Sequence, residues 1–184
     1  DDFNHFYIRT HDCTTLAGGA SCEITADFRP TTIGAKVASL NVFASPGGEH
    51  ETALAGTGIT PAALEASTST DVAFGSGIID SSSPSQDFSV INNGAAPTAP
   101  LATNITGQFA ILSDSCTGQT LNANESCTVS ARFEPSTSAG AKAGTLTISG
   151  TPGGSVDFML SGTAVDKITV TPGPSHAVTD TIIG

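Results

Sequence analysis

Apolar and polar residues alternate along several short stretches of this chain, a pattern that places successive side chains on opposite faces of a β-strand. Between Cys127 and Phe133 every second residue is apolar, and the residues in between are threonine, serine and arginine. Between Cys22 and Phe28 the apolar positions are spaced in the same way, and glutamate, threonine and aspartate separate them. Each stretch is therefore predicted to form a strand with one buried face and one face in water.

Further strands are predicted wherever a short apolar or alternating run lies between clusters of turn-forming residues. These runs cover residues 63–66, 72–74, 87–91, 102–105, 109–112, 144–148 and 156–160. The Pro-Gly-Gly sequences at residues 46–48 and 152–154 each separate two strands and predict an antiparallel hairpin. No apolar pattern with helical spacing continues for three turns, so the chain is predicted to be all-β. Seven or eight short strands in about 105 residues are typical of an immunoglobulin-like β-sandwich.

The chain contains the same sequence pattern twice, and the register between the two copies is constant. Three pairs of equivalent residues lie 105 positions apart: Cys22 and Cys127, Phe28 and Phe133, and Pro30 and Pro135. After one inserted residue the separation is 106, as between Leu40 and Leu146. Before the first cysteine of each copy it is 103, as between Phe6 and Phe109. The repeated unit is therefore about 105 residues long, an ordinary size for one domain.

The constant register also predicts the domain boundaries. Residues 1–58 correspond to the back part of a unit, residues 59–164 to a complete unit, and residues 165–184 to the start of a further repeat or to an exchanged or linker strand. We therefore expect the chain to be a window on a longer tandem array, in which neighbouring repeats are the main partners. The alternative is that a strand from an identical chain completes the first unit, since an exposed sheet edge can pair with another molecule and build a filament.

The net charge of −11, with only 6 lysine and arginine residues, argues against nucleic acid as a partner. No apolar run approaches the roughly 20 residues that a membrane helix needs, so direct membrane insertion of this segment is not expected. Aromatic residues make up 5% of the chain and tryptophan is absent, which argues against an aromatic platform for sugars. These observations leave structural and protein-binding roles as the expected classes.

Each copy contains two cysteines, and two interpretations of them compete. Tetrahedral zinc needs closely spaced cysteine pairs or added histidines, and neither occurs at a suitable spacing. A disulfide within each unit agrees better with the sequence, joining Cys13 to Cys22 and Cys116 to Cys127. Closing a loop of about ten residues would stabilise a unit by about 2.7 kcal/mol in the chain-entropy model. Disulfides also predict an oxidising compartment, such as the periplasm, the cell surface or the medium.

The first cysteine loop reads C-x-x-L-x-x-G-x-S-C and is followed by F-x-P and a glycine. This pattern resembles the repeat of bacterial choice-of-anchor D surface proteins, whose repeats are similar to the immunoglobulin-like domains of the ASPM/SPD-2/Hydin class. The second copy departs from the pattern by having Asn124 in place of Gly19 and by a longer cysteine loop. The resemblance implies an exported, multi-repeat bacterial protein that is displayed on the cell surface or released. It implies no activity.

The ingredients of a catalytic site occur together only beside the first cysteine: His5, His11, Asp12 and Ser21. The second copy has no histidine in the corresponding neighbourhood, where Asp114 and Ser115 precede the cysteine. A cysteine in a disulfide is not a nucleophile, since attack requires a thiolate. The chain is therefore predicted to have no catalytic residues and not to be an enzyme.

Two acidic stretches offer oxygen ligands of the kind that calcium prefers: Asp80, Asp87, Asp114, Asn122 and Glu125. No regular spacing organises them, so a solvated acidic surface is expected and neither a metal site nor a cofactor is predicted. If a structural calcium ion binds, we expect it at the junction between units. Asn104 and Asn124 begin glycosylation sequons, which we take as coincidence in a bacterial protein.

Only the sequence AGTGITPA separates Leu54 from Ala63, and Pro61 within it limits bending. Short linkers that contain proline favour an extended, semi-rigid array. We therefore expect a non-catalytic structural repeat region of an exported bacterial protein, acting as an extended stalk or as a self-assembling filament subunit. The alternative is an adhesin that binds a ligand through the loops of the sandwich, because such loops can bind many partners.

Overall fold

A computed structural model of the 184-residue chain describes residues 4–168. The described residues contain no helix that could span a membrane. As the alternating pattern predicts, they form an all-β structure, whose strands are β1 (Phe6–His11), β2 (Ile24–Phe28), β3 (Gly34–Ala44), β4 (Gly48–Gly58), β5 (Leu64–Ala66), β6 (Asp71–Ile78), β7 (Gln86–Asn92), β8 (Ala102–Ile105), β9 (Phe109–Asp114), β10 (Ser126–Phe133), β11 (Gly140–Gly150) and β12 (Gly154–Val165). Most of the predicted further unit, residues 169–184, lies outside the described residues.

The strands of the described residues are arranged in four sheets. β1 pairs with β2, and β3 pairs with β4, each pair forming a two-stranded sheet. The later strands form two four-stranded sheets, with the orders β5-β7-β10-β9 and β6-β12-β11-β8. The pairing of β6 with β12 is parallel, whereas β10 pairs antiparallel with both β7 and β9.

The two Pro-Gly-Gly sequences turn the chain within two long hairpins, as predicted. β3 and β4 are 11 residues long and pair without a register shift. β11 and β12, of 11 and 12 residues, do the same. The glycine that opens the return strand has a positive φ in both hairpins, 89° at Gly48 and 88° at Gly154. Side chains with a Cβ rarely adopt this backbone conformation, so glycine fits both turns.

One hydrophobic cluster takes side chains from both four-stranded sheets. Its largest members are fully buried, and they come from three strands: Phe88 of β7, Phe133 of β10 and Phe158 of β12. The ring centroids of Phe88 and Phe158 are 5.2 Å apart in an edge-to-face arrangement, so the two sheets contact each other directly. Burying a phenylalanine side chain completely contributes about 1.5–3 kcal/mol.

Two glycines of the other sheet make room for the ring of Phe133. A Cβ at Gly77 or Gly162 would lie 3.0 or 2.9 Å from this ring. Gly56 meets the ring of Phe28 in the same way, since a Cβ there would be 2.7 Å away. Phe28 and Phe133 are 105 positions apart, and Gly56 and Gly162 are 106 apart. The same contact between a glycine and a phenylalanine therefore occurs within residues 4–58 and again within residues 59–165. These two ranges are called the first and second segments below.

A short connection joins β4 to β5 and is held by the second segment. The carbonyl oxygen of Thr60 accepts a hydrogen bond from the Ala96 N–H at 3.1 Å. Its hydroxyl accepts one from the Ala95 N–H at 2.9 Å. Gly94 lies so close to Pro61 that a Cβ on the glycine would be 2.0 Å from the carbonyl oxygen of the proline. The middle of the connection is thus fixed to the loop that follows β7.

Candidate functional site

All four cysteines are bonded, Cys13 to Cys22 and Cys116 to Cys127. The two disulfides differ in their exposure to solvent. Cys116 and Cys127 are 0% and 5% exposed, whereas Cys13 and Cys22 are only partly buried. Because disulfides form and persist in oxidising surroundings, they indicate that this chain occupies an oxidising compartment outside the cytosol.

Asp12, one of the candidate catalytic residues, holds the backbone of the facing strand. Its carboxylate accepts a hydrogen bond from the Glu23 N–H at 2.6 Å. In the second segment the hydroxyl of Ser115 accepts the equivalent bond from the Thr128 N–H at 2.9 Å. Asp12 and Ser115 are 103 positions apart and Glu23 and Thr128 are 105 apart. Asp12 therefore has the same structural role as a serine in the other segment.

His5, a second candidate, is buried and holds a loop. It is 3% exposed, and its Nδ1 accepts a hydrogen bond from the Thr31 N–H at 3.2 Å. The residue 103 positions later is Gln108, whose Oε1 accepts the corresponding bond from the Ser136 N–H at 3.1 Å. An imidazole nitrogen thus holds the loop that follows β2, and an amide oxygen holds the loop that follows β10. The remaining two candidates, His11 and Ser21, are exposed.

Within the described residues, one group of three potential metal ligands comes together, formed by Asp12, Cys13 and Cys22. Their ligand atoms lie within 4.8 Å of one another. Both sulfur atoms belong to the disulfide, however, and a metal would need them as thiolates. This group therefore does not fit a zinc site while the disulfide is intact.

Asp114, which the sequence offered as a calcium ligand, accepts four hydrogen bonds from the protein itself. The hydroxyls of Thr103 and Thr117 donate to its Oδ2, each at 2.6 Å. The N–H groups of Cys116 and Thr117 donate to its Oδ1 at 2.7 and 3.0 Å. The carboxylate therefore ties strand β8 to the start of the second cysteine loop. This role was not predicted from the sequence. The available signal was that an aspartate side chain often accepts a hydrogen bond from the backbone N–H two residues later and so forms a turn.

The hydrogen bonds change the acidity of this carboxyl group. Burial acts to raise the pKa of Asp114, but the bonds from Thr103, Thr117 and Cys116 favour the ionised form and outweigh it. The pKa of Asp114 is therefore below its usual value.

Asp114→Asn is expected to lower the stability of the chain near neutral pH, and to do so less as the pH falls. A carboxyl group with a lowered pKa in the folded state contributes stability above its unfolded pKa of about 3.9, and this is lost as the pH falls through the folded-state pKa. Urea unfolding at about pH 7 and about pH 3 measures the difference. Asp87→Asn, which removes an exposed carboxylate from β7, is the control. A loss for Asp114→Asn that is equal at both pH values would contradict the expectation.

The other calcium candidates are placed separately along the second segment. Glu125 accepts hydrogen bonds from the backbone N–H and the side-chain amide of Asn122, at 2.8 and 3.1 Å. Asp80 lies in a turn with a φ of 62° and donates its N–H to the Pro135 carbonyl oxygen at 2.8 Å. Asp87 is exposed on β7. Within residues 4–168, no three of the predicted carboxylates converge on one point.

No family model matches this chain, and no curated protein matches it. Among solved structures, it is similar to the secreted serine protease VesC from Vibrio cholerae, with 24% identity, a TM-score of 0.43 and coverage of 58% of this chain and 24% of that chain. It is similar to a family 123 glycoside hydrolase from Clostridium perfringens, with 10% identity, a TM-score of 0.45 and coverage of 58% and 28%. It is also similar to the ASH / PapD-like domain of human CEP192, with 14% identity, a TM-score of 0.43 and coverage of 57% and 87%.

These comparisons correct one prediction. The prediction that the chain is not an enzyme is contradicted, because a serine protease and a glycoside hydrolase are among the similar structures. The chain spans about a quarter of the length of these two proteins. The resemblance to choice-of-anchor D repeats has no counterpart among family models.

Proposed function

We propose that this chain consists of immunoglobulin-like β-sandwich repeats of an exported bacterial protein and acts as an extended spacer on the cell surface. The observation that carries the proposal is the connection between β4 and β5. Within it, Thr60 is hydrogen bonded to Ala95 and Ala96, and Pro61 is in close contact with Gly94. A connection that is fixed in this way has few free backbone angles, so it favours a defined orientation of one unit relative to the next.

Two further features support repeated sandwich units. In the second segment, two four-stranded sheets contribute to one hydrophobic cluster, which is the arrangement of a sandwich. In both segments a glycine lies against the equivalent phenylalanine, Gly56 with Phe28 and Gly162 with Phe133. A disulfide in each segment would stabilise the units in an oxidising environment outside the cell.

The proposal predicts an elongated particle in solution. Two units that each extend about 30–40 Å along their strands would give a radius of gyration of about 20–25 Å. A single compact body of the same length would give about 16 Å. Small-angle X-ray scattering of the 184-residue chain measures this quantity directly. A value near the compact estimate would overturn the spacer proposal.

A linker variant tests the reason for the elongation. Thr60→Gly removes the hydroxyl that accepts from Ala95 and makes the backbone more flexible. We expect this variant to fold with unchanged disulfides and to show a broader distribution of interatomic distances in the same scattering experiment. Thr68→Gly, outside the connection, is the control, and it is expected to leave the distribution unchanged.

A further inference from the structure

The ends of the first cysteine loop are joined by hydrogen bonds as well as by the disulfide. The Asp12 N–H donates to the Glu23 carbonyl oxygen at 3.2 Å, and the Glu23 N–H donates to the Asp12 carboxylate at 2.6 Å. These two residues flank Cys13 and Cys22, whose Cα atoms are 5.0 Å apart. Because neither hydrogen bond involves a sulfur atom, we expect both to keep the two cysteines close together after the disulfide is reduced.

A carboxylate oxygen completes a group of three ligand atoms at this place. The carboxylate of Asp12 and the sulfur atoms of Cys13 and Cys22 lie within 4.8 Å of one another. The bond from the Glu23 N–H uses Oδ1 of the carboxylate and so fixes its orientation. Zinc takes two thiolates and a carboxylate at about 2.0–2.3 Å each, which in a tetrahedral site places the ligand atoms about 3.5–3.8 Å apart. The group has the size that such an ion requires.

The second segment lacks the carboxylate. Its residue equivalent to Asp12 is Ser115, which accepts the same backbone hydrogen bond, from the Thr128 N–H, through a neutral hydroxyl. Within residues 4–168, no group of three potential ligands forms around Cys116 and Cys127. Ser115 is exposed even though both of these cysteines are buried. The position of Asp12 therefore faces solvent also in a segment whose disulfide is covered.

We propose that the reduced first cysteine loop binds one divalent cation of the zinc class through Cys13, Cys22 and Asp12, with water as the fourth ligand. A dithiol breaks the disulfide by exchange and is itself oxidised to a disulfide, leaving two thiols on the chain. Each thiol releases a proton to the solvent as the cation binds. The cation and the disulfide use the same sulfur atoms, so the two states exclude each other. The site is independent of the spacer role.

Cadmium alone is the probe, because its bonds to thiolates absorb in the near ultraviolet. The 184-residue chain is reduced with a phosphine, which takes up the oxygen of a water molecule while the two sulfurs take up its protons. Alkylation and mass spectrometry select conditions in which the Cys116–Cys127 bond is intact. We expect the absorption to saturate at one cadmium ion per chain. Bound cadmium is also expected to protect Cys13 and Cys22 from alkylation.

Asp12→Ser is the matched variant, because serine keeps the backbone hydrogen bond, as Ser115 does, and removes the carboxylate. It is expected to weaken cadmium binding about tenfold or more while the thiolate absorption persists at saturation. Cys22→Ser, which leaves a single thiolate, is expected to abolish saturable binding. Asp87→Asn, which removes an exposed carboxylate elsewhere, is expected to bind as the unaltered chain does.

Three results would overturn the proposal. The first is the absence of saturable binding to the reduced chain. The second is equal affinity of the unaltered chain and Asp12→Ser, which would mean that the carboxylate is not a ligand. The third is loss of the β-sheet circular dichroism on reduction of the first disulfide alone, because the hydrogen bonds between Asp12 and Glu23 would then not hold the loop. Circular dichroism of each variant before reduction shows that it is folded.

Discussion

Replacing Phe133 with alanine is expected to lower the free energy of unfolding by about 3–5 kcal/mol, the usual cost of removing a fully buried phenylalanine ring. The ring is 0% exposed and its centroid lies 5.1 Å from that of Phe109. On the other sheet it faces the backbone of Gly77 and Gly162, which have no side chain that could move into the space. The cavity would therefore stay open, and the cost should lie in the upper part of this range. Urea unfolding followed by circular dichroism measures the loss.

The equivalent change in the first segment, Phe28→Ala, is the matched control. The ring of Phe28 also lies against a glycine, Gly56, and its centroid is 4.9 Å from that of Phe6. It is only partly buried, however, so its removal exposes less new apolar surface and leaves a space that water can enter. We expect a clearly smaller loss of stability than for Phe133→Ala. An equal or larger loss for Phe28→Ala would mean that the ring of Phe28 is as well buried in solution as that of Phe133.

The strands could be predicted from the sequence because their pattern is local. The alternation between Cys127 and Phe133 gave β10 to within one residue, and the predicted range 102–105 agrees with β8. The strand predicted between Cys22 and Phe28 was too long, since β2 begins at Ile24. The residues missing from its start are those whose equivalents in β10 pair with β7. A periodic pattern shows which face is buried, but it does not show whether a neighbouring strand is present.

Long-range pairings and polar contacts could not be predicted in this way. The parallel pairing of β6 with β12 joins strands that are far apart in the sequence, and no local pattern encodes it. The role of Asp12 was hidden because its equivalent is Ser115, a different residue that accepts the same hydrogen bond. The relation between His5 and Gln108 was hidden for the same reason. A comparison of the copies by hydrogen-bonding capacity, rather than by identity, would have found both pairs.

The prediction about catalysis had a narrower basis than the prediction of the fold. It rested on one group of residues, beside Cys13, and on the absence of the equivalent histidines from the second copy. The structure gives Asp12 and His5 backbone-holding roles. These roles concern Asp12 and His5 alone and say nothing about the other parts of the chain.

Removing the second disulfide, by replacing Cys116 and Cys127 with alanine, is expected to have the other large effect. The cross-link joins residues separated by 11 positions, and in the chain-entropy model a loop of this size contributes about 2.8 kcal/mol. Both cysteines also belong to the buried cluster, so the smaller alanines would lose packing contacts as well. We therefore expect a total loss of about 3–5 kcal/mol in urea unfolding under oxidising conditions.

The first disulfide separates the contribution of loop closure from that of packing, because it closes a loop of similar length on the surface. Its cysteines are 9 positions apart, so the entropic contribution is almost the same, about 2.7 kcal/mol. Cys13 and Cys22 are partly exposed, and their replacement by alanine should cost little in packing. The same difference in exposure predicts that dithiothreitol reduces Cys13–Cys22 before Cys116–Cys127, which alkylation and mass spectrometry would detect. If both pairs were reduced at the same rate and cost the same stability, the burial of Cys116 and Cys127 would contribute nothing beyond loop closure.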